Sequence, residues 1–108
     1  ELTATCVRIP VFISHAESIN IEFEKEFTLE KINETLNASD GCKVIDERKD
    51  GGYITPVEAA GKNETFISRI RKDHSNKNTI NLWCVSDNLL RGAALNAVEI
   101  AEAYIKNK

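Results

Sequence analysis

Arg8 and His15 stand seven residues apart in the run Cys6-Val7-Arg8-Ile9-Pro10-Val11-Phe12-Ile13-Ser14-His15. An arginine guanidinium can hold a carboxylate or a phosphate through two parallel hydrogen bonds. Histidine is the side chain whose proton moves most readily near neutral pH. One short segment that carries both offers an anion grip and a proton acceptor. An Arg on the polar face of a strand is ordinarily solvated. Here its neighbours are apolar, which calls for a specific anionic partner. The second cluster of interest is Ser86-Asp87-Asn88, followed by the small residues Gly92-Ala93-Ala94. Ser86 or Asp87 is placed to cap a helix, and Asn88 then exposes an amide at its start.

Those residues need elements to hold them. Val7, Ile9, Val11 and Ile13 alternate with Arg8, Pro10 and Phe12, which predicts a strand over 5–13 with His15 just past its end. Ile19, Ile21 and Phe23 alternate with Asn20, Glu22 and Glu24, a second strand with one wet face. Thr28 caps a helix over 29–38 whose buried stripe is Leu29, Ile32 and Leu36. Phe27 and Ile32 have the spacing of a hydrophobic staple, and Gly41 supplies the stop. Residues 42–46 read as a short strand, and 46–53 as a charged, mobile turn ending in Gly51-Gly52. Thr55-Pro56-Val57-Glu58-Ala59-Ala60-Gly61 suits one helical turn. Strands follow over 65–71 and 79–85, then a long helix over 88–106. Strands with helices between them point to an α+β domain, a mixed or antiparallel sheet with helices packed on it.

Composition narrows the function. The chain has 108 residues and a formal net charge of −3, which argues against general nucleic-acid binding. No apolar run is long enough to span a membrane. Cys6, Cys42 and Cys84 are odd in number and widely spaced, which fits reduced thiols in the cytoplasm. The first five residues lack the basic region and apolar core of a signal peptide. The chain starts without Met and runs at once into a predicted strand. It is therefore expected to be the C-terminal piece of a longer protein. Arg69 and Arg71 could bind phosphate, but a charged outer strand face explains them. His74 sits in a polar turn and reads as surface.

The segment 5–15, together with 66–73 and the run Leu82-Trp83-Cys84-Val85-Ser86-Asp87-Asn88-Leu89-Leu90-Arg91-Gly92-Ala93-Ala94-Leu95-Asn96, resembles the aspartate-semialdehyde dehydrogenase family. The resemblance runs from Thr3 to Lys106. It implies a partial C-terminal domain of glyceraldehyde-3-phosphate-dehydrogenase-like fold, ending in a long helix. Residues 1–86 would form part of the substrate-binding and dimerisation domain. Residues 87–108 would be a helix packed on a dinucleotide-binding domain absent from this chain. By resemblance, Arg8 binds the substrate α-carboxylate, His15 is the acid/base, and Asn88 contacts the nicotinamide carboxamide of NADP. The implied reaction is reductive dephosphorylation of aspartyl-4-phosphate to aspartate semialdehyde, in a homodimer or homotetramer, on the route to lysine, threonine and methionine. The family's nucleophile lies in an Asn-Cys-Thr segment. None of the three cysteines here has that setting, so the nucleophile is expected upstream and the isolated chain inactive. A related acyl-phosphate reductase, a non-catalytic oligomerisation module of the same fold and a free-standing binding domain stay open as alternatives.

Overall fold

The computed structural model describes residues 1–107. Its elements are β1 (His15–Glu22), α1 (Leu29–Asn37), β2 (Cys42–Val44), α2 (Pro56–Ala59), β3 (Thr65–Lys72), β4 (Thr79–Ser86) and α3 (Leu95–Lys106). The four strands form one mixed sheet in the order β1-β4-β3-β2. β4 is antiparallel to both β1 and β3, and β2 runs parallel to β3. This is the expected α+β architecture.

Side chains alternate across the sheet, and the two faces bury different partners. Ile67, Ile70, Ile80 and Leu82 meet Ile19, Ile21, Phe23, Phe27 and the α1 stripe of Leu29, Ile32 and Leu36. Thr28 caps α1 by accepting from the Lys31 N–H at 3.2 Å. On the opposite face Phe66 and Val85 pack with Ile54 and Ala59, flanked by Ala16, Ile45 and Trp83. The backbone of Ile54 is tied down twice: its N–H donates to Ser68 Oγ at 3.3 Å, and its carbonyl accepts from Trp83 Nε1 at 2.9 Å. The segment before α2 is thus fastened to the sheet.

Three expectations are corrected. First, residues 5–13 form no strand, so Arg8 does not sit on a strand face, and His15 begins β1 instead of following a strand. The alternation there is genuine, but a strand needs a ladder partner. Pro10 also removes a donor, and the Val11 N–H turns back to the Ile9 carbonyl at 2.9 Å. The fixed φ of proline suits such a tight turn. Second, the helix expected over 88–106 is broken. Arg91, Gly92 and Ala93 leave helical geometry, with Gly92 at φ 79°, and the regular helix starts at Leu95. Third, the turn over 46–53 is anchored, not loose. Asp46 accepts from the N–H groups of Arg69 and Ile70 at 2.8 and 3.1 Å, and the Glu47 N–H closes onto the Gly52 carbonyl at 3.0 Å.

Arg91 stitches the break before α3 to the loops that lead into β2 and β3. Its largely buried guanidinium pairs with Glu99 and donates through Nε to the Asn63 carbonyl. It also lies against Gly41, where an added Cβ would collide with it. Gly41 is therefore glycine for two reasons, its φ of 75° and the cation beside it.

Candidate functional site

The antiparallel pairing of β1 with β4 sets His15 opposite Ser86. His15 Nε2 lies 3.1 Å from Ser86 Oγ, and Nδ1 lies 3.7 Å from Glu17 Oε1. Ser86 is 6% exposed, while the His15 side chain is 48% exposed. One edge of the ring is therefore held by the protein and the rest faces solvent.

The residue before His15 is fixed as tightly. Ser14 is buried and takes φ 77°, a left-handed conformation unusual for a residue with a Cβ. Its N–H donates to Asn88 Oδ1 at 2.8 Å, across 74 residues of sequence. Its own hydroxyl is buried and has no hydrogen-bond partner among the described residues. Backbone strain held by a side-chain clamp is the kind of feature found at functional sites. Asn88 is exposed and spends its carbonyl oxygen on Ser14, which leaves the amide nitrogen to donate outward.

Asp87 organises the same corner. Its carboxylate, 3% exposed as a residue, accepts from the Gly61 N–H at 2.7 Å and the Leu89 N–H at 2.8 Å. Asp87, not Ser86, therefore caps the turn after β4, and the Ser86 hydroxyl is spent on His15. The Gly61 and Leu89 N–H groups hold the Asp87 carboxyl below its ordinary pKa. A depressed carboxyl stabilises the fold above the unfolded pKa of about 3.9 and loses that contribution as pH falls through the lower folded value. Asp87→Asn is expected to lower the melting temperature near neutral pH. The gap from wild type should shrink as pH drops below about 3.9. Melting curves by circular dichroism across that range check it; a gap independent of pH would refute it.

The remaining candidates do not join this cluster. Arg8 is exposed in the irregular N-terminal segment, with no hydrogen bond or ion pair among the described residues. Arg69 lies over the Tyr53 ring at 5.6 Å, and Arg71 donates to the Arg69 carbonyl at 2.8 Å. Both are committed on the sheet surface. Cys6 is exposed and Cys42 half-buried. Burial pushes the Cys84 thiol up to about 11, the opposite of what a nucleophile needs. Ser14 carries no distinctive signal in sequence, and the Ser86-Asp87-Asn88 run reads there as a helix start with no link to His15. Only the β1–β4 register reveals that Ser86 faces His15.

Residues 1–91 match the family described as semialdehyde dehydrogenase, dimerisation domain. The chain belongs to this semialdehyde dehydrogenase family. Among its relatives, aspartate-semialdehyde dehydrogenase of Rickettsia typhi is 50% identical over 105 residues, 97% of this chain and 31% of the relative. The Aquifex aeolicus enzyme of the same name is 46% identical over 106 residues, 98% of this chain and again 31% of the relative. A crystal structure of aspartate semialdehyde dehydrogenase II from Vibrio cholerae, complexed with ASA, superposes with a TM-score of 0.81 at 36% identity. It covers 91% of this chain and 29% of that one. A probable aspartate-semialdehyde dehydrogenase from Pseudomonas aeruginosa gives a TM-score of 0.77 at 36% identity, covering 90% of this chain and 28% of that one. The chain thus spans about a third of the length of the relatives it matches, and its sheet is that of a semialdehyde dehydrogenase dimerisation domain. Among the described residues no helix is long and apolar enough to cross a membrane.

Proposed function

We propose that this chain is the C-terminal part of an NADP-dependent, phosphorylating aspartate-semialdehyde dehydrogenase. It would act in the cytoplasm on the route to lysine, threonine and methionine, as a homodimer or homotetramer. The reaction is reductive dephosphorylation of aspartyl-4-phosphate to aspartate 4-semialdehyde. The observation that carries the proposal is near end-to-end identity, close to one residue in two, with enzymes of that name.

In this reading His15 is the acid/base. A half-exposed imidazole held at one edge can take a proton from a thiol and return one to the substrate. None of Cys6, Cys42 and Cys84 stands in an Asn-Cys-Thr segment, and burial opposes ionisation of Cys84, so in this reading the thiol would come from outside this chain. Arg8 grips the substrate α-carboxylate through its free guanidinium. Bound NADP supplies or accepts the hydride. The outward amide nitrogen of Asn88 suits a carboxamide oxygen of that cofactor. Val98, Ile100 and Ile105 are exposed on α3. They support the proposal that residues 87–108 pack on the dinucleotide-binding domain. The isolated chain is then inactive.

The test is an assay of the full-length protein for phosphate-dependent reduction of NADP by aspartate semialdehyde. Turnover supports the reading. Turnover with a different semialdehyde alone would assign a related acyl-phosphate reductase instead, and NAD run in parallel decides the cofactor. A second check addresses Arg8. Arg8→Ala is expected to raise KM for the semialdehyde roughly 10- to 100-fold, the cost of one bidentate charged contact, with kcat changed only a few-fold. An unchanged KM removes Arg8 from the substrate site.

A further inference from the structure

Ser86 has a buried hydroxyl that the proposed reaction leaves without a task. Buried hydroxyls are almost always satisfied, and the side-chain partner of this one is His15 Nε2 at 3.1 Å. The other ring nitrogen, Nδ1, lies 3.7 Å from Glu17 Oε1. Glu17 follows two residues later in β1 and so projects from the same face of the sheet as His15. An ionised carboxylate only accepts hydrogen bonds, and a neutral imidazole has one donor and one acceptor nitrogen. Both contacts are favourable in one tautomer alone, with the proton on Nδ1 toward Glu17 and the Nε2 lone pair on the Ser86 O–H.

We infer that Ser86 is a positioning residue for His15: with Glu17 it selects the Nδ1–H tautomer and makes Nε2 the nitrogen that accepts protons. This inference rests on the reading of His15 as the acid/base. The device is built from three sites. Register brings Ser86 under the ring, Glu17 orients the far nitrogen, and the Asn88–Ser14 bond fixes the strained backbone from which the ring projects. The hydroxyl keeps Nε2 aligned until a reacting thiol or substrate group replaces it as the partner. The neutral ring then needs no tautomer exchange before the proton moves. Ser86 touches no reacting atom in this scheme and acts through His15.

The test uses the full-length protein with 15N-labelled histidine. Long-range proton–nitrogen spectra of the ring are expected to show the Nδ1–H tautomer in the wild type. Ser86→Ala is expected to populate both tautomers and to lower kcat about tenfold, with KM within about twofold, a fraction of what a general base contributes. Ser86→Thr keeps a hydroxyl and is expected to restore both readouts. Glu17→Ala alters an exposed side chain and is expected to weaken the tautomer preference. It serves as the decisive variant if Ser86→Ala fails to fold. A wild-type ring in the Nε2–H tautomer overturns the inference. So does wild-type kcat in Ser86→Ala, or an unchanged ring spectrum in either variant. The two readings fail separately. Full activity in a protein lacking His15 removes the acid/base role, whereas the ring spectrum reports on Ser86 and Glu17 whatever that role is.

Discussion

His15→Asn is expected to lower kcat of the full-length protein by about 10²- to 10⁴-fold, the usual range for loss of a general acid/base. KM for the semialdehyde should stay within a few-fold, because the ring is assigned to proton transfer and Arg8 to substrate binding. The fold should be nearly indifferent. The side chain is half exposed, and its contacts are one hydroxyl and one solvent-screened carboxylate. An exposed pair of that kind is worth about 1 kcal/mol or less. A normal melting temperature with collapsed turnover would separate chemistry from stability. If kcat in His15→Asn stays within about threefold of wild type, no general acid/base role survives. The proton acceptor must then be sought elsewhere. Asparagine is the informative replacement, since its amide can still meet the Ser86 hydroxyl while being unable to accept a proton near neutral pH.

What the sequence disclosed about this site follows from which interactions are local. The α1 cap at Thr28 and its apolar stripe, the turn at Pro56 and the strands β3 and β4 are written in periodicity and capping chemistry, and they stand where expected. The strand expected over 5–13 failed for the complementary reason. Its alternation specifies a face to bury, but no strand among the described residues pairs with it. The site itself is non-local. Ser14 meets Asn88 across 74 residues and His15 meets Ser86 across 71. Nothing in either run discloses such partners, and a one-residue slip of register would turn Ser86 to the other face. Asn88 was singled out by resemblance as a cofactor contact. Its grip on the Ser14 backbone appears only once β1 and β4 are paired. The helix break at Gly92 is not legible in the sequence because Leu89, Ala93, Ala97 and Ile100 keep an apolar helical spacing across it. A glycine within such a rhythm does not by itself reveal a positive φ.

Asp46→Ala is expected to destabilise the fold more than any surface change in this chain, by about 2–4 kcal/mol. The residue looked like part of a charged turn, yet its carboxylate is only 6% exposed. It accepts from two consecutive N–H groups, those of Arg69 and Ile70. Those groups sit in the irregularity where the β3–β4 register shifts between Ser68 and Arg71, and Arg69 there takes φ 57°. A bulge leaves N–H groups out of the ladder, and Asp46 is their acceptor. The Ile70 side chain is fully buried in the core under α1, so its N–H has little access to replacement water. Each charged acceptor bond is worth about 1.5–3 kcal/mol. Two in one carboxylate are not additive, hence the lower sum. For a domain of about this size the loss corresponds to a fall in melting temperature of roughly 10–20 °C. Arg48, which pairs with Asp46 from a side chain 61% exposed, supplies the control. Arg48→Ala should cost less, about 1–2 kcal/mol, since it removes an exposed ion pair and one hydrogen bond to the Ile70 carbonyl. Asp46→Asn keeps one acceptor oxygen and should fall between the two. Urea unfolding of the three variants gives the order directly. If Asp46→Ala costs no more than Arg48→Ala, the bulge holds without its acceptor, and the carboxylate is a surface charge after all.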